Sequence, residues 1–371
     1  MPEQVLYDRI QAVKDRAQLY LYVAGLGAVI AVNSYVTQQR MSHENGITCR
    51  GTLRVVDDPQ FPEHDFFRPG REFGCRVRHG AASWLDDAKL VVRSGSLKFA
   101  DARGTSPLDL LMNTGDVPLF WNVRNFASFM KGTMGGRGKN WLPDLRLHPQ
   151  ALRGGAVSVR RDPESFTDLV FNSQVCFGFI GVDHVYRYAR YRLQPVTFSG
   201  VQSGEPDAED RAHPWLQNPW PNETRSRNYL KDELTVRLNT RHHPVHYVLR
   251  VQLRERPASG QPEWVSSAFP WDETVTPFVD VAVVTLNEAL DHDEAQLTWF
   301  DIGNHPATLP IPRGRSIDDP HSLNDIRLAG NWARRARLYS YKKRGMPGPI
   351  PDSRLAPDWV AVPPMPVPPG T

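Results

Sequence analysis

The chain has 371 residues, 40% hydrophobic side chains and 10 Trp, enough for two average domains or one large barrel with attached helices. Its 44 basic and 41 acidic residues leave a net charge of +3, which excludes the concentrated basic face that nucleic-acid binding requires. Cys49, Cys75 and Cys176 are odd in number, far apart and without a Cys-x-x-Cys, which excludes a disulfide framework and a zinc-thiolate site and fits a reducing, cytoplasmic compartment.

Residues 1–18 have the spacing of an amphipathic helix, with Val5, Ile10, Val13 and Leu19 as inner positions. The run from Leu19 to Val36 is uncharged and about the minimum length of a membrane span. Gly25, Gly27, Asn33, Ser34 and three tyrosines argue against a span, so a buried or membrane-touching helix is expected. No secretory leader is read here, because charged residues from Asp8 to Arg16 precede the first apolar run.

From about residue 47 the hydrophobic period shifts towards two. Residues 52–56, 75–79 and 89–99 read as strands separated by Pro and Gly turns, and another strand ends at the turn 109–115. Residues 123–170 look helical and loop-like, and further strands are expected at 175–180, 186–195, 246–254 and 278–286. The polar, proline-rich stretch 203–228 reads as a surface excursion. A basic helix is expected over 324–343, stopped by Gly345-Met-Pro. The proline-dense 347–371 is expected to be an extended surface tail or disordered. Antiparallel strands between helices predict an α+β architecture, a closed barrel with a helical flank.

One stretch anchors the functional reading. Arg40-Met-Ser-His43 leads into a glycine-punctuated strand ending at Asp57-Asp58-Pro59, and Phe61-Pro-Glu-His-Asp-Phe-Phe67 follows. Taken alone, His43 is a histidine at the mouth of a strand, either structural or facing a pocket. Met112-Asn113-Thr-Gly115 places an amide at a strand end, and Arg76 and Arg78 share a strand face. On the C-terminal helix Arg327 is followed four residues later by Asn331. The pairs Arg335 with Tyr339 and Arg337 with Tyr341 keep a one-turn spacing.

These motifs resemble the catalase-related heme proteins, and among them the coral-type allene oxide synthases, from about residue 40 to about residue 330. The resemblance implies a catalase-like antiparallel β-barrel with flanking helices. It divides the chain into an N-terminal helical segment (1–39), a heme domain (40–345) and a proline-rich tail (346–371). It implies heme b between barrel and C-terminal helix, with His43 as the distal histidine, Asn113 as the distal amide and Arg40 and Arg78 on the propionates. Ser42 carries the hydroxyl that the synthases place before that histidine, where it would restrain the imidazole and weaken it as a base for hydrogen peroxide. Phe126 falls where catalases place an aromatic. Arg327 matches the arginine that supports an iron-ligating tyrosine, but Asn331 occupies the tyrosine's place, which leaves Tyr339 and Tyr341 as alternative ligands.

The implied activity is rearrangement, dehydration or cleavage of a fatty-acid or other organic hydroperoxide. Two alternatives stand beside it: a heme peroxidase or weak catalase on the same scaffold, favoured by Phe126, and a heme-free relative binding a lipid or protein partner, favoured by Asn331. Expected partners are a lipid hydroperoxide, a membrane surface touched through residues 19–36, and copies of the chain in a homo-oligomer.

Overall fold

The computed structural model describes residues 3–82, 86–134, 149–212, 219–220 and 222–349. Eight strands form an antiparallel meander that closes on itself. They are β1 (Asn45–Val55), β2 (Glu72–Ala81), β3 (Val91–Lys98), β4 (Asn113–Thr114), β5 (Phe171–Asn172), β6 (Tyr186–Pro195), β7 (Val245–Glu255) and β8 (Val279–Ala289). Each pairs with its successor, and β8 returns to β1 with Leu53 opposite Val284. Closure removes every free edge from the circuit.

Alternation in the sequence decides which face of each strand is inside. In β7, Val245, Tyr247, Leu249 and Val251 are buried, while His246 between the first two is exposed. The interior is a packed core: Leu53, Val77, Leu97, Leu110, Phe171, Leu193, Tyr247 and Leu286 are each at most 0% exposed. Gly51 marks a bulge between β1 and β8, where a Cβ would lie 1.8 Å from the Thr285 carbonyl oxygen. Only glycine lets the two backbones approach this closely.

Four helices matter for the site: α1 (Glu3–Thr37), α2 (Val123–Met134), α3 (His292–Leu297) and α4 (Ser322–Arg344). The α+β barrel with helical flanks expected from the sequence is the fold the chain adopts. Two local readings differ. Residues 3–37 form one continuous helix, since no proline interrupts good helix formers around Ala17-Gln18. Its inner face is also rotated: Leu19 is buried, but Ile10 and Val13 are exposed, because the helix packs on α4 only from its middle onward. The second difference lies in 203–228, where Asp210 is buried against Arg161 as well as looping over the surface. Residues 350–371 of the tail lie outside the described residues.

Candidate functional site

The chain leaves α1 through Gln38, whose φ of 61° ends the helix, and runs directly into the cavity segment Arg40-Met-Ser-His43. His43 itself has φ 58°, a left-handed backbone that costs about 1–3 kcal/mol for a residue other than glycine. The surroundings hold it there. Arg78 on β2 donates to the His43 carbonyl at 2.7 Å and to the Glu44 carbonyl at 3.0 Å. Glu44 accepts from the Arg40 backbone N–H at 2.7 Å and from the Gln296 side chain at 2.8 Å. Burial pushes the Glu44 carboxyl up, but Arg40 beside it prevails and holds it below its usual range.

The result is a cavity of about 270 Å³ between barrel and helices. Met41, Ser42 and His43 line one part of it, with Ser94, Ser96 and Asn113 from β3 and β4. Asn113 reaches it because β4 pairs it opposite Ser94. Phe120, Phe126, Trp299, Phe300 and Leu323 make the apolar wall, the first two in edge contact at 4.8 Å. The C-terminal helix α4 contributes Ile326, Arg327, Gly330, Ala333, Arg334 and Arg337.

The wall is strongly cationic. Arg40, Arg78, Arg327, Arg334 and Arg337 all line it, and among the described residues no acidic side chain does. Burial pushes Arg78 and Arg327 each down to about 10. Arg40 is lowered further, by burial and then by Arg337 and Arg78. The Nε atoms of Arg40, Arg78 and Arg334 are buried without a hydrogen-bond partner. A pocket with this surplus of positive charge is set up for an anion.

His43 faces the same problem. Burial, then Arg78, Arg93 and Arg327, push its imidazole down to about 3, so the ring is neutral at physiological pH. Ser42 Oγ lies 2.8 Å from His43 Nδ1, and the buried Nε2 has no partner. Asn113 Nδ2 donates to Gln174 at 3.2 Å, and that Gln174 amide is anchored in turn on the Thr114 carbonyl at 3.0 Å. A neutral imidazole and a braced amide are suited to hydrogen-bonding an uncharged oxygen ligand.

The structure thus brings Arg40, Ser42, His43, Arg78, Asn113, Phe126 and Arg327 to one cavity. It does not bring the two tyrosines there. Tyr339 is 53% exposed and stacks on Tyr35. The Tyr341 hydroxyl donates to the Gln38 carbonyl at 3.0 Å and accepts from Arg337 at 2.8 Å. Both lie three to four turns past Arg327 along α4, and neither is among the lining residues. Asn331, beside the lining residue Gly330, has a buried Oδ1 without a partner.

Sequence reasoning missed Trp299, Phe300 and Arg334, and it named Arg337 only as the partner of Tyr341. For the two arginines a signal existed, since 327, 330, 334 and 337 fall on one helical stripe. Trp299 and Phe300 sit in a loop after α3 and carry no such periodicity. Among the described residues, no group of three His, Cys, Asp or Glu could hold a metal ion.

A half-buried histidine and amide at one end of a closed barrel, facing a basic helix across a cationic cavity, define a catalase-like protein. Solved structures agree on the fold: a fungal catalase, catalase A of Saccharomyces cerevisiae and a bacterial catalase superpose with TM-scores of 0.58, 0.58 and 0.60 at 17%, 17% and 16% identity. They match 87%, 87% and 85% of this chain, which covers 61%, 62% and 60% of theirs. The chain belongs to the catalase-related family, on the allene oxide synthase-like side.

It is 33% identical over 294 residues (78% of the chain) to the allene oxide synthase-lipoxygenase protein of Plexaura homomalla, and 29% identical over 306 residues (80%) to a linolenate 9R-lipoxygenase of Nostoc. An uncharacterized protein of Sinorhizobium fredii, y4iK, is 32% identical over 222 residues, which make up 58% of this chain and 91% of that protein. The chain spans only 27% and 38% of the length of the first two relatives. No family model matches the sequence.

Proposed function

We propose that this chain binds heme b in the cationic cavity and converts an organic hydroperoxide of the fatty-acid class. One observation carries the reading: His43, Asn113 and five arginines converge on one cavity that no acidic side chain lines among the described residues. The relatives named for allene oxide and lipid oxygenation chemistry support the substrate class.

The residues present fit such a group on most sides. Unpartnered guanidinium nitrogens of Arg40, Arg78 and Arg334 suit two carboxylates. Trp299, Phe300, Leu323 and Ile326 suit a flat apolar macrocycle. The iron ligand departs from the family, because among the described residues no tyrosine or cysteine lines the cavity. Bound there, the heme supplies a redox-active iron able to cleave an O–O bond. His43 Nε2 and the second Asn113 Nδ2 proton then hold the hydroperoxide oxygens by hydrogen bonds. Phe120 and Phe126 exclude water and leave the lipid chain an apolar surface.

The test is reconstitution of the full chain with ferric heme b, beside Gly330→Leu. A Cβ at Gly330 meets nothing within 4 Å, so leucine would fill cavity space and strengthen the helix. A Soret band in the parent that is lost in the variant, with consumption of a fatty-acid hydroperoxide, is the expected result. Folded protein with no band overturns heme binding. A band with oxygen evolution from hydrogen peroxide, and no hydroperoxide consumption, would instead favour the catalase or peroxidase activity to which Phe126 points.

A further inference from the structure

The helix that delivers His43 to the cavity has a second face with no partner among the described residues. One stripe of α1, centred on Leu19, Gly27, Ile30 and Ser34, is buried, and Gly27 sits so close to Trp332 of α4 that a Cβ would be 2.9 Å from its ring. The opposite stripe is apolar and open. Leu21 is 74% exposed, Val32 64% and Val36 61%. A helix that is hydrophobic all round belongs in a core or against lipid. Here the barrel and α4 cover only one side of it.

Charge frames this surface. No Asp, Glu, Lys or Arg occurs between Arg16 and Arg40. Arg9, Lys14 and Arg16, interspersed with Asp8 and Asp15, stand at one end of the stripe, and the wholly basic Lys342, Lys343 and Arg344 at the other. Arg344 is tied to that end through the Val36 carbonyl at 3.2 Å. The only acidic residue of α4 is Asp325, which is buried and paired with Arg313 far from this end.

We infer that α1 and α4 together form an in-plane docking surface for an anionic lipid bilayer. By length and composition alone the helix could span: Asp8–Thr37 covers 30 residues, and an 18-residue stretch within it has mean hydropathy 1.6. Its packing forbids this. α4 runs along α1 and carries Arg334, Arg335, Arg337, Lys342, Lys343 and Arg344, which a spanning α1 would drag into hydrocarbon. Lying flat, α1 sinks Leu21, Val32 and Val36 into the acyl boundary, and the basic ends stay among the headgroups.

The surface also leads to the cavity. Met41, four residues after the end of α1, is 41% exposed and lines the cavity. A lipid held in the bilayer therefore meets the rim without crossing water. This last step rests on the proposed function; the docking does not.

Vesicle flotation of the full chain separates the two. Phosphatidylcholine vesicles with phosphatidylserine should carry the protein, and pure phosphatidylcholine vesicles should carry several-fold less. The double variant Leu21→Glu/Val32→Glu should lose at least tenfold in partitioning with its melting temperature unchanged, because both side chains are solvent-exposed. Lys342→Glu/Lys343→Glu should remove only the preference for anionic lipid. Flotation that survives the Leu21→Glu/Val32→Glu change overturns the inference. So does failure to float together with a dimer that this double variant dissociates, which would make a second copy the occupant. Flotation without hydroperoxide turnover leaves the docking standing and removes the proposed chemistry.

Discussion

The Arg78 guanidinium donates at 2.7 Å to the carbonyl of His43, a residue held at φ 58°. A second donation to the Glu44 carbonyl at 3.0 Å makes the contact a fork across two consecutive peptides. The arginine that the family resemblance assigns to a propionate therefore also fixes the backbone from which the imidazole projects. A lysine can keep the charge but cannot span both carbonyls. Arg78→Lys should lower stability by about 1–3 kcal/mol in urea unfolding, as one buried charged hydrogen bond is lost. Hydroperoxide turnover should fall further than heme affinity does, because His43 moves while Arg40 and Arg334 remain.

Ser42 acts on the other end of the same residue. Its hydroxyl lies 2.8 Å from His43 Nδ1, inside hydrogen-bond range, and restrains the ring without touching Nε2. Ser42→Ala removes a bond worth about 1 kcal/mol. The expected result is oxygen evolution from hydrogen peroxide that rises relative to fatty-acid hydroperoxide consumption by roughly fivefold, the equivalent of that energy. A ratio that stays constant would mean the hydroxyl has no part in substrate choice.

Away from the cavity, Lys98 and Asp109 form a buried pair at 2.8 Å with both side chains 0% exposed. Asp109 also accepts from the Asp301 backbone and the Asn304 amide, so it ties the barrel to the loop after α3. Removing one partner strands the other charge. Asp109→Ala should cost about 3–5 kcal/mol in denaturant unfolding. Lys98→Met/Asp109→Leu together should cost much less, which a double-mutant cycle would show.

His79 is buried in the barrel, stacked on Phe166 at 5.1 Å, and burial pushes its pKa down to about 3 from an ordinary 6.5. The unfolded chain takes up a proton below pH 6.5 that the folded chain refuses. Its contribution is therefore complete above pH 6.5 and is lost as pH falls towards 3, at about 1.4 kcal/mol per unit. Asp87, raised to about 6 by burial, opposes this slope in the parent and in any variant alike. His79→Gln should flatten the loss of stability between pH 6.5 and 4 by that amount, measured by urea unfolding at several pH values.

What the sequence revealed follows from where the information is local. Alternation in 246–254 and 278–286, and the glycines around Gly51, made the barrel readable because strand period and bulge are short-range properties. The cavity segment was readable because Arg40 to His43 arrive in one piece. The rotation of α1 was not readable. Val13 and Leu21 look as apolar as Leu19 and Ile30, and only the placement of α4 decides which stripe is covered. Tyr339 and Tyr341 misled for a related reason. A one-turn spacing from an arginine recurs all along a basic helix, whereas the cavity touches α4 only between Leu323 and Arg337.

Asn331 carries the last prediction. It stands one turn after Arg327, beside Gly330 of the cavity wall, with its Oδ1 buried and unpartnered. An amide oxygen is a far weaker ligand for ferric iron than a phenolate. Reconstituted protein should therefore lack the spectral signature of tyrosinate ligation, and Tyr339→Phe and Tyr341→Phe should leave its spectrum unchanged. Asn331→Tyr should introduce that signature, since Arg327 lies within a turn to support an anionic phenolate. Visible absorption and electron paramagnetic resonance of the four proteins would read this directly. A spectrum altered by Tyr341→Phe and untouched by Asn331→Tyr would move the iron ligand to the far end of the helix and require a rearranged cavity.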